Sequence, residues 1–552
     1  MNDSEPEQQA LPESSDSEIS PLPKRKLRWK WGLGILLLGI ATVIYRWFQL
    51  APDRTYQVFS VYFGICYILV GMLFWWMLIS GVAWKTRFKG LIGTVLVFVL
   101  FFSLFRVEGF EGDMLPRFRF RFLPTPEQRA EQYFEKIKNS SPAEKAKLTE
   151  QALELSPGDW PAFRGAERDG IVRDQTIRTD WNKHPPELLW KHPVGAGWSS
   201  FCVIGNRAFT QEQRGEQETV VCYDVQTGNQ IWTHTDPVRF SETLGGVGPR
   251  ATPTFDEGLL YTMGGIGILN CLKAGTGELV WSYDLLKEGD LKNLEWGMSG
   301  SPLIWENLVI VNQGVQKSDS KAENQSVIAF HKGSGEKAWA SGTHKSSYSA
   351  PQFAMLNGTP QVLIFHSKGL ESFSPQDGTS LWFFPWTNQP GVNAAQPILL
   401  DDTSLYLGSG YGAGSTRLKV TVSDQAPEAK VTQDWESQSL KLKFNSAVQR
   451  DGFVYGLDEG ILTCLNLETG KRSWKRGRYG YGQMLLVGSH LLILAEDGRV
   501  ELVKADPEKY EQVAEFQAIA GQTWNHPALA HGKLFVRNSE EAACFDLSPA
   551  SK

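Results

Sequence analysis

The chain has 552 residues, 42% apolar and 21% charged, with a net charge of −6. That length calls for more than one domain and the composition for a packed core, while the acidic balance argues against a general nucleic-acid binder, which carries a basic domain. Its 20 tryptophans and 53 glycines point to many short strands joined by tight turns.

The first 23 residues are polar and acidic without periodicity and read as a disordered tail. A basic stretch, Lys24 to Lys30, leads into three apolar runs: Trp31–Phe48, about Val58–Trp84, and Leu91–Phe105. A spanning helix needs about 20 apolar residues, so the first two runs qualify and the third needs its margins to reach across. Lys85, Arg87 and Lys89 crowd the second loop, whereas the first loop carries Arg54 alone. Basic residues collect on the cytoplasmic side, so the tail and second loop are placed inside, and everything after Arg106 on the periplasmic side of a bacterial inner membrane. The alternative is two spans and a re-entrant segment. With a long polar lead and further apolar runs, the first run does not read as a cleaved signal peptide.

Residues 107–158 form a linker. Arg and Phe alternate in PRFRFRF (Pro116–Phe122) with period two, as in an edge strand or a segment with Phe against lipid headgroups. Thr125, Pro126 and Gln128 then make a capping box, and Ser141, Pro142 and Glu144 repeat it, predicting a stalk of two short helices.

From residue 159 to 548 the chain repeats itself. CYDVQTGNQIW ends at Trp232, and copies end at Trp281, Trp339, Trp382 and Trp474. Degenerate copies put Trp435 and Phe516 in the aromatic slot, and Trp190 holds it without the upstream half. Self-similarity at this period marks a propeller array. An alternating strand, a Thr-Gly, Ser-Gly or Asp-Gly turn with Gly at positive φ, and a strand ending in Trp make the outer half of a four-stranded blade. The C-terminus supplies three strands without a closing Trp, and ELLWKHPV supplies one strand with it, so the two together close the ring as a split blade. The expected fold is an all-β, eight-bladed β-propeller of four-stranded blades behind three transmembrane helices and a short helical stalk. Seven blades is the alternative, because the unit Asn393–Trp435 is irregular. Cys222, Cys271, Cys464 and Cys544 share one repeat position with Ala329 and Ser372, so they read as small buried residues. Cys202 has no place in the repeat, Cys66 falls in an apolar run, and no CxxC or CxxCH occurs.

The strand–TG–xxx–W unit resembles the repeat of pyrroloquinoline-quinone (PQQ)-type propellers. DWPAFRGAERDGIV (Asp159–Val172) is similar to the entry segment of that superfamily, and GPRATPTFDEGLLYTMG and FNSAVQRDGFVYGLDEG look like repeats of BamB-like bacterial propellers. The resemblance covers about Asp159 to Leu547 and implies either of two functions. BamB-like members bind protein in the envelope. Quinoprotein dehydrogenases hold PQQ and calcium at the axis and oxidise alcohols or sugars, some behind N-terminal membrane helices. The vicinal Cys-Cys pair of the alcohol dehydrogenases is absent here, the ring leaves little room for pocket-building insertions, and the calcium-binding Glu, Asn and Asp have no evident counterparts. The resemblance therefore favours a non-catalytic module binding an envelope protein or small ligand at the rim, with PQQ and calcium as the alternative.

Aligning first strands on the Pro of RATP, SGSP and YSAP predicts the residues at the funnel mouth: Trp198, Arg250, Ser299, Tyr348, Ala394 beside Asn393, Asn445, Gly482 or Gln483, and Trp524. Two indoles and a guanidinium at one rim suit a planar anion; the other reading is that these side chains plug the channel and tie blades together. His526 lies near the same axis. DSKAEN (Asp319–Asn324) lacks the full EF-hand pattern, and SGYGAGS (Ser409–Ser415) lacks a P-loop lysine, so neither predicts a site, and no metal ligands are assigned.

Overall fold

The structure is a computed structural model, and it describes residues 27–51, 53–140, 153–313, 315–316, 326–423 and 426–549. The acidic tail, the second linker helix and Asp319–Asn324 lie outside the described residues.

Two compact units emerge. The first holds residues 59–103 and the chain up to Leu50. Its helices α1 (Trp29–Leu50), α2 (Arg54–Ile79, whose first turn belongs to the second unit) and α3 (Trp84–Leu104) are each long and apolar enough to cross a membrane. Helices α1 and α2 approach closely through small residues, as membrane helices do: a Cβ on Gly39 would fall 2.3 Å from Ile68, and one on Gly64 would fall 2.0 Å from Val43.

The second unit takes in Ala51–Val58 and Leu104 onward. It is built on an eight-bladed propeller: seven four-stranded sheets and one of five strands, with meander order inside the blades. Blade 1 runs through Cys202–Ile204, Arg207–Arg214, Gln217–Asp224 and Gln230–Asp236, and blade 7 ends at Gln512–Gln517. Blade 8 is split as expected: Ala528–Ala530, Lys533–Arg537 and Glu541–Asp546 are completed by the strand Glu187–Pro193, with Cys544 opposite Trp190. This non-covalent closure leaves the ring no open seam. The fifth unit, irregular in sequence, is a full blade with the longest hairpin, Gly414–Ser423 paired to Ala426–Ser437.

The repeat has a physical cause. The small residue and the tryptophan face each other across the two outer strands: Cys222 opposite Trp232, Cys271 opposite Trp281, Ala329 opposite Trp339, Cys464 opposite Trp474. Each indole then reaches the following blade. Trp190 donates to the Val225 carbonyl (2.9 Å), Trp232 to Ala274 (3.0 Å), Trp281 to Lys332 (2.9 Å) and Trp339 to Pro375 (3.0 Å). Trp382 instead bonds Gln361 of its own blade (2.8 Å). All six cysteines are free.

Helix α4 (Pro126–Ser140) starts on the expected box: Gln128 N–H donates to Thr125 Oγ1 (3.0 Å) and Thr125 N–H to Gln128 Oε1 (2.9 Å). It lies against the ring. Tyr133 stacks on His192 (5.3 Å), Arg214 sits over Phe134 (3.8 Å), and Arg239 pairs with Glu127 (2.8 Å). Before it, β1 (Phe105–Phe110) and β2 (Pro116–Phe120) form a hairpin.

Candidate functional site

Each blade's first strand begins near the ring axis, and the residues just before it turn inward. The axis is closed at both ends by segments from outside the blades. At one end the entry segment Asp159–Val172 runs across the ring. Trp160 bridges to Val203 of blade 1 and Ile171–Val172 adds a parallel fifth strand to blade 7. Arg164 donates to the carbonyls of Ala447 (2.7 Å) and Asp169 (2.6 Å), while Arg168 donates to Pro302 (2.8 Å) and Ser301 (2.9 Å). Both guanidiniums are buried, and burial draws them down to about 10 and about 9, still charged at neutral pH. Two arginines of one short loop thus tie blade 6 to blade 3 through backbone acceptors.

The other end is capped by the turn between β1 and β2 and by the short segment at Asp53–Tyr56. Gly112 N–H donates to Glu496 (2.9 Å), Tyr481 O–H to Asp113 (2.8 Å), Gln522 to the Phe110 carbonyl (2.7 Å) and Lys443 Nζ to Thr55 Oγ1. Gly112 is required there: a Cβ would stand 1.9 Å from the Tyr481 ring.

Between plug and cap lies a cavity of about 210 Å³. Trp198, Arg250, Ser299, Tyr348, Ala394, Gln483, Trp524 and His526, named from the sequence, all line it. The Trp198 and Trp524 rings meet at 4.8 Å. Asn393 and Asn445 do not line it; both are buried struts. Asn393 donates to the His366 (2.8 Å) and Trp386 (3.1 Å) carbonyls, and Asn445 to Leu457 (3.0 Å). The register position Ala394 is on the wall, with Asn393 behind it, while at Asn445 the wall position is taken by the preceding residue, Phe444. Sequence reasoning also missed Trp296, Tyr411 and Lys443, and the whole cap. Phe444 and Lys443 stand just before Asn445, within the slack of a repeat alignment, whereas nothing local marks Thr55 or Glu111–Met114 as axial.

The cations at this cavity are already committed. Arg250 donates to the carbonyls of Trp296 (2.8 Å), Gly246 (2.9 Å) and Gly248, lies 3.7 Å from Glu242, and covers the Phe240 ring at 4.3 Å. It braces the loop Ser241–Gly248 rather than facing a ligand. Lys443 bonds Thr55 and Tyr481 (2.8 Å) and faces the Tyr481 ring at 4.5 Å. Burial lowers its pKa, opposed by Asp53, Asp113, Glu459 and Glu496. The Tyr348 phenol is pushed up to about 12 by burial and stays neutral. His526, buried beside Arg164, is held well below the usual imidazole range by that burial, with Phe163 edge-on at 4.8 Å. The remaining wall is mostly aromatic and aliphatic.

PQQ is a planar tricarboxylate and its calcium takes about six to eight oxygen ligands. The donor set here does not fit that pair. The one arginine is saturated by carbonyls, and the one lysine is tied to the cap among four acidic groups. Among the described residues, the group of His, Cys, Asp or Glu with convergent ligand atoms is His344, His366 and Glu371, on and beside blade 4, and none of the three lines the cavity. In that group Lys368 N–H donates to His366 Nδ1 (3.1 Å), which leaves the proton of the neutral ring on Nε2, aimed at Glu371 Oε2 (3.1 Å). The His344 and His366 rings stack at 4.5 Å, with Phe383 5.0 Å from His344. Both imidazoles already meet one carboxylate oxygen, His366 Nε2 at 3.1 Å and His344 Nδ1 at 3.4 Å from Glu371 Oε2, so the cluster is read as hydrogen-bonded packing.

This is an eight-bladed propeller whose axis is covered at one end by the entry segment and at the other by the β1–β2 turn. Residues 216–476 match the family described as outer membrane protein assembly factor BamB. Among solved structures it is similar to a quinohemoprotein alcohol dehydrogenase from Comamonas testosteroni, at 14% identity and a TM-score of 0.50, over 72% of this chain and 81% of that one. It is also similar to BamB from Moraxella catarrhalis, at 14% identity and a TM-score of 0.45, over 66% of this chain and 99% of that one. At such identity the likeness concerns the fold alone. No curated protein matches the sequence significantly.

Proposed function

We propose that this protein is a membrane-anchored, extracytoplasmic propeller that binds an envelope protein or ligand and performs no catalysis of its own. One observation carries the reading: the axial mouth, where a propeller dehydrogenase would admit cofactor and substrate, is overhung by the chain's own Thr55 and Gly112–Asp113, bonded to Lys443, Glu496 and Tyr481 at its rim, and Arg250 is consumed in bracing a loop. Partner recognition then belongs to the outer edges. The 12-residue outer strand of blade 5 (Ala426–Ser437) departs most from the repeat, more than twice the common strand length of about 5–6 residues, and offers a long edge for strand addition.

The periplasmic placement has a topological support. The chain leaves the propeller unit after Val58 and re-enters it at Leu104. Two crossings between these points, α2 and α3, return it to the side it left, and the basic residues Lys85, Arg87 and Lys89 at their turn favour the cytoplasm for that turn.

The test is a melt of the full chain in detergent, with and without PQQ plus calcium, alongside dye-linked oxidation of alcohols and sugars. A ligand at about 100 times its Kd adds about 2.7 kcal/mol. An unchanged melt and no dye reduction are expected. A clear shift accompanied by turnover would replace this reading with a PQQ/calcium-dependent membrane dehydrogenase.

A further inference from the structure

The hairpin β1–β2 has two chemically different faces. Cross-strand partners share a face. Arg106 lies opposite Arg119 on one, and Phe105 opposite Phe120, with Val107 opposite Phe118, on the other. The polar face is bonded inward: Arg119 reaches Glu108 (3.0 Å) and Glu540 of blade 8 (3.6 Å). The apolar face is partly exposed to solvent. Val107 is 46% exposed, Phe118 47%, Phe120 40% and, just beyond the strand, Phe122 72%. The phenylalanines hold one another, Phe105 to Phe120 at 5.9 Å and Phe120 to Phe122 at 5.4 Å, so the row is a preformed surface.

Continuity of the chain says what covers it. Strand β1 begins at Phe105, the residue after the apolar helix α3 ends at Leu104. A strand starting where a membrane helix stops emerges at the lipid headgroups, the depth that aromatic rings with polar neighbours favour. Arg117 and Arg121 flank the row in sequence, and each basic group near an anionic surface is worth about 1 kcal/mol. We propose that the Val107–Phe118–Phe120–Phe122 face docks on the phospholipid surface of the leaflet that α3 exits, so that the hairpin is a wedge with lipid on one face and blade 8 on the other. The inference does not depend on what the propeller binds.

The protein's own cysteines make the test clean. The five propeller thiols are wholly buried and only Cys66 is exposed, so a Cys66→Ala background accepts a spin label at one chosen site. The full chain carrying Phe118→Cys or Phe122→Cys is reconstituted in vesicles of phosphatidylcholine with a minority of phosphatidylglycerol. Val107→Cys repeats the reading from the other strand should a phenylalanine replacement disturb the hairpin, and Lys471→Cys, on an exposed turn of blade 6, serves as the aqueous control. Docking predicts that oxygen, which partitions into lipid, relaxes the hairpin labels several-fold more than a water-soluble nickel chelate does, with the ratio reversed at position 471. Hairpin labels as open to nickel as the control overturn the proposal. Labels shielded from both reagents overturn it too, since protein, a second copy for instance, would then cover the face.

Discussion

The indole of Trp232 and the backbone of Gly277 touch across a blade boundary: a Cβ on Gly277 would lie 2.5 Å from the Trp232 ring. The same pairing joins Trp190 to Gly228 (2.6 Å), Trp281 to Gly335 (2.6 Å), Trp339 to Gly378 (2.5 Å) and Trp435 to Gly470 (2.6 Å). Each turn glycine therefore answers two demands, a left-handed φ (+76° at Gly277) and a surface flat enough for the preceding blade's tryptophan. Gly277→Ala should cost roughly 2–4 kcal/mol, the sum of strain and a displaced ring. Gly258→Ala in the same blade is the control: its φ is +81° but nothing lies within 4 Å, so it should cost only about 1–2 kcal/mol. Urea unfolding of both variants measures the difference, and equal costs would remove the packing half of the argument.

Glu218 gives the ring a pH dependence near neutrality. Burial pushes its carboxyl up to about 7, although the Gly265 N–H donates to it and Arg250 opposes the shift. A carboxyl whose folded pKa exceeds its unfolded value of about 4.3 leaves the folded state holding the extra proton between those limits. Stability is therefore highest below about 4.3, falls as pH rises to about 7, and stays lowered above it, by roughly 3 kcal/mol. Glu218→Gln keeps an acceptor for Gly265 and cannot ionise. It should unfold at higher urea than the parent at pH 8 and match it near pH 5. A variant that loses stability equally at both pH values would show that the carboxylate is not strained there.

Lys443 couples the cap to the ring. Its folded pKa is lowered by burial from an unfolded value of about 10.4, so the folded state binds fewer protons in the window between the two and stability rises with pH there. Lys443→Met removes that rise. At pH 7 the variant should be within about 1 kcal/mol of the parent, because an apolar side chain replaces a costly buried charge. Amide exchange at Thr55 and Tyr56 should nonetheless quicken, since the bond to Thr55 is gone. A variant that keeps the parent's pH slope below the ordinary lysine range would place the titration elsewhere.

The features legible in the sequence are those written by neighbours. A glycine and the tryptophan a few residues on are close in the chain, and the small residue opposite that tryptophan lies within the same short stretch, as Cys222 and Trp232 illustrate. Blade count, split closure and most of the funnel register follow from that local grammar. The cap does not, because Thr55 meets Lys443 and Gly112 meets Glu496 across hundreds of residues. Nor does the state of Arg250: the repeat places it at the mouth, but three carbonyl acceptors from the loops Ser241–Gly248 and Leu294–Gly297 decide what it does there. Residue type and position were readable, and satisfaction of hydrogen bonds was not.

The cysteines allow a compact check of the whole blade assignment. Cys222, Cys271, Cys464 and Cys544 each sit inside a blade opposite a tryptophan, and Cys202 lies in the first strand of blade 1 with its Sγ 3.2 Å from the Pro161 carbonyl. Burial raises all five thiols, Cys271 to about 12 and Cys464 to about 11, so thiolate, the reactive form, is scarce as well as inaccessible. The native chain in detergent should therefore take up at most one maleimide, at Cys66, and five more only after unfolding. Because the five thiols are spread over blades 1, 2, 6 and 8, their labelling as urea is raised should occur together if the ring opens as one cooperative body. Early labelling confined to Cys544 would instead locate the first opening at the split blade, where closure pairs Glu541 with Pro193, far apart in the sequence, and no covalent link holds the seam.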